Sequence, residues 1–251
     1  MDIQSKKIVF IDLDGTLIQT ASGATFPQGI RDMKFRENVF EQLQKLTPLG
    51  IFIATNQGGI ELGYIRKEMF EHKLLYVIAS LQEFIGNYTL VAAQYCPFNG
   101  KENPNRKPNT GMLSSMLNQF EETTGIQITN EECIMIGDAS GKDGQFSNSD
   151  LRTAQNFGCD YLDIEDFLNM ELPEPLYKLV EAASGQTIQK LGEDGFYDKL
   201  DRTAAEQQAT ELNKQREEHK RAVVVPEKWI APKPQPQPAK GKKVIKMKPK
   251  K

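Results

Sequence analysis

Ile8-Val9-Phe10-Ile11 is a run of four apolar side chains, three of them β-branched, that leads directly into Asp12-Leu13-Asp14-Gly15-Thr16. So short an apolar run reads as a strand buried on both faces, the kind found in parallel sheets with helices on either side. Two carboxylates separated by a single residue at the carboxyl end of such a strand are costly unless something compensates them. A hard cation such as Mg²⁺, bound through oxygen ligands, is the usual compensation.

The same pattern returns along the chain. Val39, Phe40, Leu43 and Leu46 have helical spacing, with Asn38 placed as a cap, and Pro48 and Gly50 end that helix. Ile51-Phe52-Ile53-Ala54 is a second buried strand and ends in Thr55-Asn56-Gln57-Gly58-Gly59. A helix is predicted from about Ile65 to Ile85, its apolar face formed by Met69, Leu74, Val77, Ile78, Leu81 and Phe84. Leu90 to Ala93 reads as a third strand. Residues 99–110 are loop and contain Arg106-Lys107-Pro108 just before a helix from about Thr110 to Thr124, which Gly125 closes. Cys133 to Ile136 is a fourth buried strand that opens into Gly137-Asp138-Ala139-Ser140. A helix near Asp150 to Phe157 and a short strand at Asp160 to Leu162 follow. Strands that alternate with helices and end in polar loops predict an α/β fold: a doubly wound parallel sheet of Rossmann type, with its site at the carboxyl ends of the strands.

Composition matters at the far end of the chain. Alternation stops near Lys178, and residues 204–222 are charged and Gln-rich, predicting an exposed helix without a core of its own. Residues 226–238 are proline-rich and read as an extended spacer. From Pro232 to Lys251 there are eight lysines and no acids, which leaves the rest of the chain with 23 basic and 34 acidic residues. An acidic body with a basic arm suggests contact with a polyanion or an acidic protein surface; a solubilising tail is the plainer alternative. The division expected is a catalytic domain over residues 1–175, a charged, helical extension over 176–225 and a flexible tail over 226–251. No apolar run approaches a membrane span and no signal-peptide core precedes Ile8, so a cytoplasmic protein is expected, nuclear as well in a eukaryote or in the host cytoplasm for a virus. Cys96, Cys133 and Cys159 are scattered and odd in number, indicating neither a disulfide framework nor a zinc site.

Four polar clusters thus fall at strand ends or just before a helix: Asp12/Asp14, Thr55/Asn56, Lys107 and Asp138. In this order they resemble the four motifs of the haloacid dehalogenase-like phosphohydrolases. The resemblance implies Asp12 as nucleophile, Asp14 as general acid and base, and Mg²⁺ held by Asp12, Asp138 and the main-chain carbonyl of Asp14. It also implies Lys107 and Thr55, with main-chain amides near Leu13 and Asn56, as stabilisers of phosphoryl charge. Asp150 is a candidate to support the metal through water or to cap a helix; Asp143 is left unassigned.

Between Thr16 and Ile51, and again between Gln57 and Lys107, the chain has no room for an inserted cap domain of about 50 residues. An open site suits a phosphate carried on a macromolecule. Residues 7–168, through Ser22-Gly23, Phe26-Pro27, Thr55-Asn56-Gln57, Arg106-Lys107-Pro108 and Gly137-Asp138-Ala139-Ser140-Gly141-Lys142 with Phe146-Ser147, resemble the 3′-phosphatase domain of polynucleotide kinase 3′-phosphatases. That family removes 3′-phosphate from DNA ends, and the resemblance implies nucleic-acid 3′ ends as the partner, with Phe26 near the terminal nucleotide and Arg106 near its phosphate. The chain departs from the family at Glu61-Leu62-Gly63, where the animal enzymes carry a basic residue. It also contains no Gly-x-x-x-x-Gly-Lys-Ser/Thr, so the kinase half is not expected. Two alternatives remain. A histidinol- or heptose-phosphate phosphatase shares the short motifs, but the zinc loop typical of such enzymes would need more than the one Cys and no His present in residues 96–107. A noncatalytic nucleic-acid-binding or scaffold protein on this fold is the other.

Overall fold

Alternation of side chains along β-branched strands lets each strand bury one set of residues above the sheet and another below it, so helices must cover both faces. The computed structural model describes residues 2–24, 27, 31–145, 147–190, 195–214 and 216–231. Phe26, Phe146 and the tail from Pro232 to Lys251 lie outside the described residues. In chain order the elements are β1 (Ile8–Ile11), β2 (Ile18–Gln19), β3 (Lys34–Phe35), α1 (Val39–Leu46), β4 (Gly50–Asn56), α2 (Lys67–Ile85) and β5 (Leu90–Cys96). There follow α3 (Gly111–Thr124), β6 (Cys133–Gly137), α4 (Ser149–Phe157), β7 (Asp160–Asp163), α5 (Ile164–Leu168), β8 (Tyr177–Glu181), α6 (Arg202–Asn213) and β9 (Ala222–Pro226).

Five strands form one sheet in the order β5-β4-β1-β6-β7, every neighbouring pair parallel. On one face Val9, Ile11, Ile51, Ile53, Ile134 and Ile136 pack with α1, α2 and α5 through residues such as Leu43, Val77 and Phe167. On the other, Ile8, Phe10, Phe52, Cys133 and Met135 pack with α3 and α4 through Met112, Leu113 and Ala154. The doubly wound sheet is therefore the one expected. Among the described residues no helix is long and apolar enough to cross a membrane.

Several local expectations need correction. Asn38 occupies the cap position of α1, but its side chain makes no capping hydrogen bond. The inward face of α2 is Phe70, Lys73, Leu74, Val77, Leu81 and Ile85; Leu74, Val77 and Leu81 thus lie where expected and Ile78 packs against the same core, Phe84 is partly exposed with its ring against Phe40, and Phe70, Lys73 and Ile85 are additions to the expected stripe. The larger correction concerns the C-terminal extension, for which the sequence predicts an exposed helix without a core. Instead, β8 and β9 pair antiparallel, from Tyr177↔Pro226 to Glu181↔Ala222. With α6 they enclose a core of Tyr177, Leu179, Ile188, Ala205, Ala209 and Ala222. The unit rests on the main body through an edge-to-face contact of Tyr177 with Tyr88, and Lys228 donates to the carbonyl oxygens of Gln4 and Leu46.

Candidate active site

Register brings the polar clusters together. Ile11 of β1 lies level with Ile53 of β4 and with Ile136 of β6, so the residues just beyond them emerge at the same height. These are Asp12, then Ala54-Thr55, then Gly137-Asp138. Because the chain builds outward from β1 to β4 and β5 and then returns to lay β6 on the opposite side of β1, the order reverses between β1 and β6. Crevices at such reversals are where open α/β sheets bind ligands.

Asp12, Asp138 and Asp150 bring their carboxylate oxygens within 4.8 Å of one another. Asp150 comes from the first turn of α4, and its Oδ2 accepts from the amide of Ala139 at 3.2 Å. Two glycines make this approach possible: a Cβ on Gly15 would collide with the Asp138 carboxylate, and one on Gly137 with that of Asp150. Gly15 also has φ +84°, which favours glycine for a second reason. Lys107 enters from the other side, its Nζ 2.5 Å from Asp12 Oδ1 and 2.7 Å from Asp150 Oδ1. Asn56 braces it, donating to the carbonyl of Lys107 at 3.0 Å and accepting from its amide at 2.9 Å.

The charges do not balance within this group. Burial pushes the Asp12 carboxyl up to about 8, against the pull of Lys107 and with added repulsion from Asp150 and Asp138. Asp138 is pushed up to about 6, by burial first and then by Asp150. Burial alone would lower the Lys107 ammonium, but Asp12 and Asp150 outweigh it and hold the group charged above its ordinary range. Three carboxylates around one ammonium leave a deficit of positive charge. An all-oxygen donor set of this kind fits a hard divalent cation.

Asp14 stands apart. Its side chain is 45% exposed, with Oδ2 accepting from Gln57 Nε2 at 2.6 Å and Oδ1 paired with Lys73 Nζ at 3.1 Å. Gln57 also donates to Thr55 Oγ1 at 3.0 Å, which ties Thr55, itself buried at the end of β4, to the same network. Arg106 is half-buried and donates to the carbonyl of Phe98 at 2.7 Å. The loop after β6 is held by Asp163, which accepts from Ser140 at 2.9 Å and Gln145 at 2.7 Å.

The structure thus assembles Asp12, Asp14, Thr55, Asn56, Lys107 and Asp138 around one crevice, whereas Phe26 lies outside the described residues. Asp150, in the sequence a candidate metal support or helix cap, contacts Lys107 directly. Lys73, Gln57 and Arg36, which donates to the carbonyl of Gly15 at 2.6 Å and pairs with Glu165, belong to no motif legible in the sequence as a site. Lys73 did leave a trace: it is a charged residue three positions after Phe70, within the buried stripe of α2.

Comparison with known proteins matches residues 7–168 to the family model described as polynucleotide kinase 3 phosphatase. The chain is 29% identical over 167 residues to the bifunctional polynucleotide phosphatase/kinase of Schizosaccharomyces pombe, covering 65% of this chain but only 38% of that protein. It is 31% identical over 174 residues to an uncharacterized 20.8 kDa protein of Autographa californica nuclear polyhedrosis virus, covering 66% of this chain and 87% of the viral one. It is also 30% identical over 141 residues to the D-glycero-beta-D-manno-heptose-1,7-bisphosphate 7-phosphatase of Haemophilus influenzae, covering 53% of this chain and 71% of that enzyme.

Proposed function

The chain belongs to the polynucleotide kinase 3 phosphatase family, and on that premise we propose that it is a Mg²⁺-dependent phosphomonoesterase that removes the 3′-phosphate from polynucleotide ends, those of DNA in particular. The observation that carries the reading is the contrast between two carboxylates separated by a single residue. Asp12 is buried against Lys107, and Asp14 is half-exposed in a network of its own. Two acids in contrasting surroundings suit two different tasks: Lys107, together with a bound Mg²⁺, would counter the effect of burial and keep the Asp12 carboxyl ionised for attack.

In this mechanism Asp12 attacks the phosphorus and the ester P–O bond breaks, leaving phosphoaspartate; Asp14 gives its proton to the departing 3′-oxygen. Water then attacks the phosphorus, Asp14 takes its proton, and inorganic phosphate leaves as Asp12 is restored. Lys107, whose main chain is held by the side chain of Asn56, keeps positive charge beside the reacting carboxylate. Asp12, Asp138 and the main-chain carbonyl of Asp14 would hold Mg²⁺, with Asp150 alongside. When bound there the ion neutralises the clustered carboxylates and draws charge from the phosphoryl oxygens.

Support for a macromolecular substrate comes from the short connections around the site. Among the described residues, β2, β3 and α1 are the elements between β1 and β4, and α2 is the helix between β4 and β5, so none of them forms a folded cap over the crevice. The lysines after Pro232 extend the reading, since a basic arm neutralising a few backbone phosphates would raise affinity without sequence preference; an acidic protein surface is the other partner chemistry for it.

A small-substrate reading has one observation in its favour, the similarity to the heptose phosphatase. Competition separates the two. Purified chain with Mg²⁺ should hydrolyse a 3′-phosphorylated oligonucleotide with a kcat/KM at least about 100-fold above that for heptose 1,7-bisphosphate or histidinol phosphate, a gap of about 2.7 kcal/mol in transition-state binding. The reverse preference would replace the polynucleotide reading with the metabolite one.

A further inference from the structure

Lys73 lies on the inward face of α2, between Phe70 and Val77, and is only 6% exposed. An ammonium on a core-facing helix position is costly to bury unless it has an anionic partner. Here the partner is Asp14, at 3.1 Å, and the Phe70 ring centroid lies 5.7 Å from the same nitrogen. Asp14 itself is half-exposed, and an aspartate at such a site would otherwise pass between several staggered rotamers. Lys73 takes one of its oxygens and Gln57 the other, at 2.6 Å. Each carboxylate oxygen has two lone pairs, so both contacts leave room for a proton.

We propose that Lys73 is a positioning residue for Asp14: with Gln57 it holds the Asp14 carboxylate in one orientation through both proton transfers. The proposal rests on the phosphomonoesterase reading and deepens it. In the first transfer Asp14 gives its proton to the leaving oxygen as the P–O bond breaks. In the second it accepts a proton from water as the oxygen of that water bonds to phosphorus and the Asp12–phosphorus bond breaks. Neither transfer needs a chemical step at Lys73. A catalytic group displaced by about 1 Å loses on the order of 100-fold in rate, which sets the size of the effect expected.

The leaving group exposes this role. A 3′-phosphorylated nucleotide departs as a poor alkoxide and needs the proton in the first step, whereas p-nitrophenyl phosphate departs as a stable phenolate and does not. Both substrates need Asp14 in the second step. Lys73→Met should therefore lower kcat on the 3′-phosphorylated oligonucleotide by about 100-fold with KM little changed. With p-nitrophenyl phosphate it should release a burst of about one nitrophenolate per chain, followed by a slow steady state as phosphoaspartate accumulates. Lys73→Gln, which keeps a donor and removes the charge, should show the same burst with a smaller loss, and serves if the methionine variant does not fold. In an Asp14→Asn background, Lys73→Met should add no further loss. Equal losses on the two esters without a burst, or an additive loss in the Asp14→Asn background, would overturn the positioning role while the function stands. A wild-type chain that hydrolyses neither ester would overturn both.

Discussion

Lys107 is the residue on which the charge balance of the crevice turns. Its side chain is buried, and Asp12 and Asp150 each contact it directly. Removing one member of a buried ion-paired group leaves the others uncompensated, at a cost of about 3–5 kcal/mol. Lys107→Ala should therefore lower unfolding stability by about that amount in metal-free buffer above about pH 8, where Asp12 is charged as well, measured by urea denaturation, and added Mg²⁺ should recover a large part of it by supplying positive charge to the same carboxylates. A variant as stable as the parent without Mg²⁺ would show that the three acids are not charged together in the folded chain. Lys107 was legible as part of an ordered set of motifs, because Arg106-Lys107-Pro108 immediately precedes a helix. The residues that orient it were less legible. Asn56 reaches it across 51 positions and Asp150 across 43, and no periodicity in a sequence encodes which polar side chains meet over such spans. The contacts of Gln57 and Lys73 with Asp14 were hidden for the same reason, although a lysine inside an apolar stripe was a signal open to reading.

At the scale of elements, β1, β4 and β6 were readable because buried strands are short apolar runs that end abruptly at charge. β5 was seen only in part, since its edge position leaves Leu90 exposed and its middle half-buried, which weakens the apolar signal. The extension was misread because its strands are separated by 40 residues and its helix packs through Ala205 and Ala209, small residues that do not mark a core-facing stripe. Tyr177 and Leu179 face inward with Lys178 less buried between them, a two-residue period too short to stand out. Leu179 is fully buried in that small core. Leu179→Ala should cost about 2–5 kcal/mol of local stability through lost packing and the cavity left behind. The expected sign is faster proteolytic cleavage within residues 177–226, with turnover at the crevice retained because β8, β9 and α6 contribute no residue to it. Loss of turnover in proportion to cleavage would mean that the unit supports the crevice directly.

For the molecule as a whole, one topological fact ties the parts together: the strand order reverses beside β1, and there Asp12 and Asp138 emerge from neighbouring parallel strands. A sequence of alternating strands and helices foretells such a reversal without saying which strands flank it. The sheet then brings together a buried carboxylate, a separate half-exposed one and a cluster of carboxylate oxygens, with no cap domain among the described elements. Under the proposed function Asp12 takes the phosphoryl group from a polynucleotide 3′ end. This transfer is tested most directly by mixing the full chain and Mg²⁺ with an oligonucleotide carrying a radiolabelled 3′-phosphate and quenching in acid within a single turnover. Label should appear transiently on the protein, map to the peptide containing Asp12, and pass to inorganic phosphate, and Asp12→Asn should neither acquire nor release it. Release of labelled phosphate by the Asp12→Asn chain at the parent rate, or label on a peptide that lacks Asp12, would rule out Asp12 as the nucleophile.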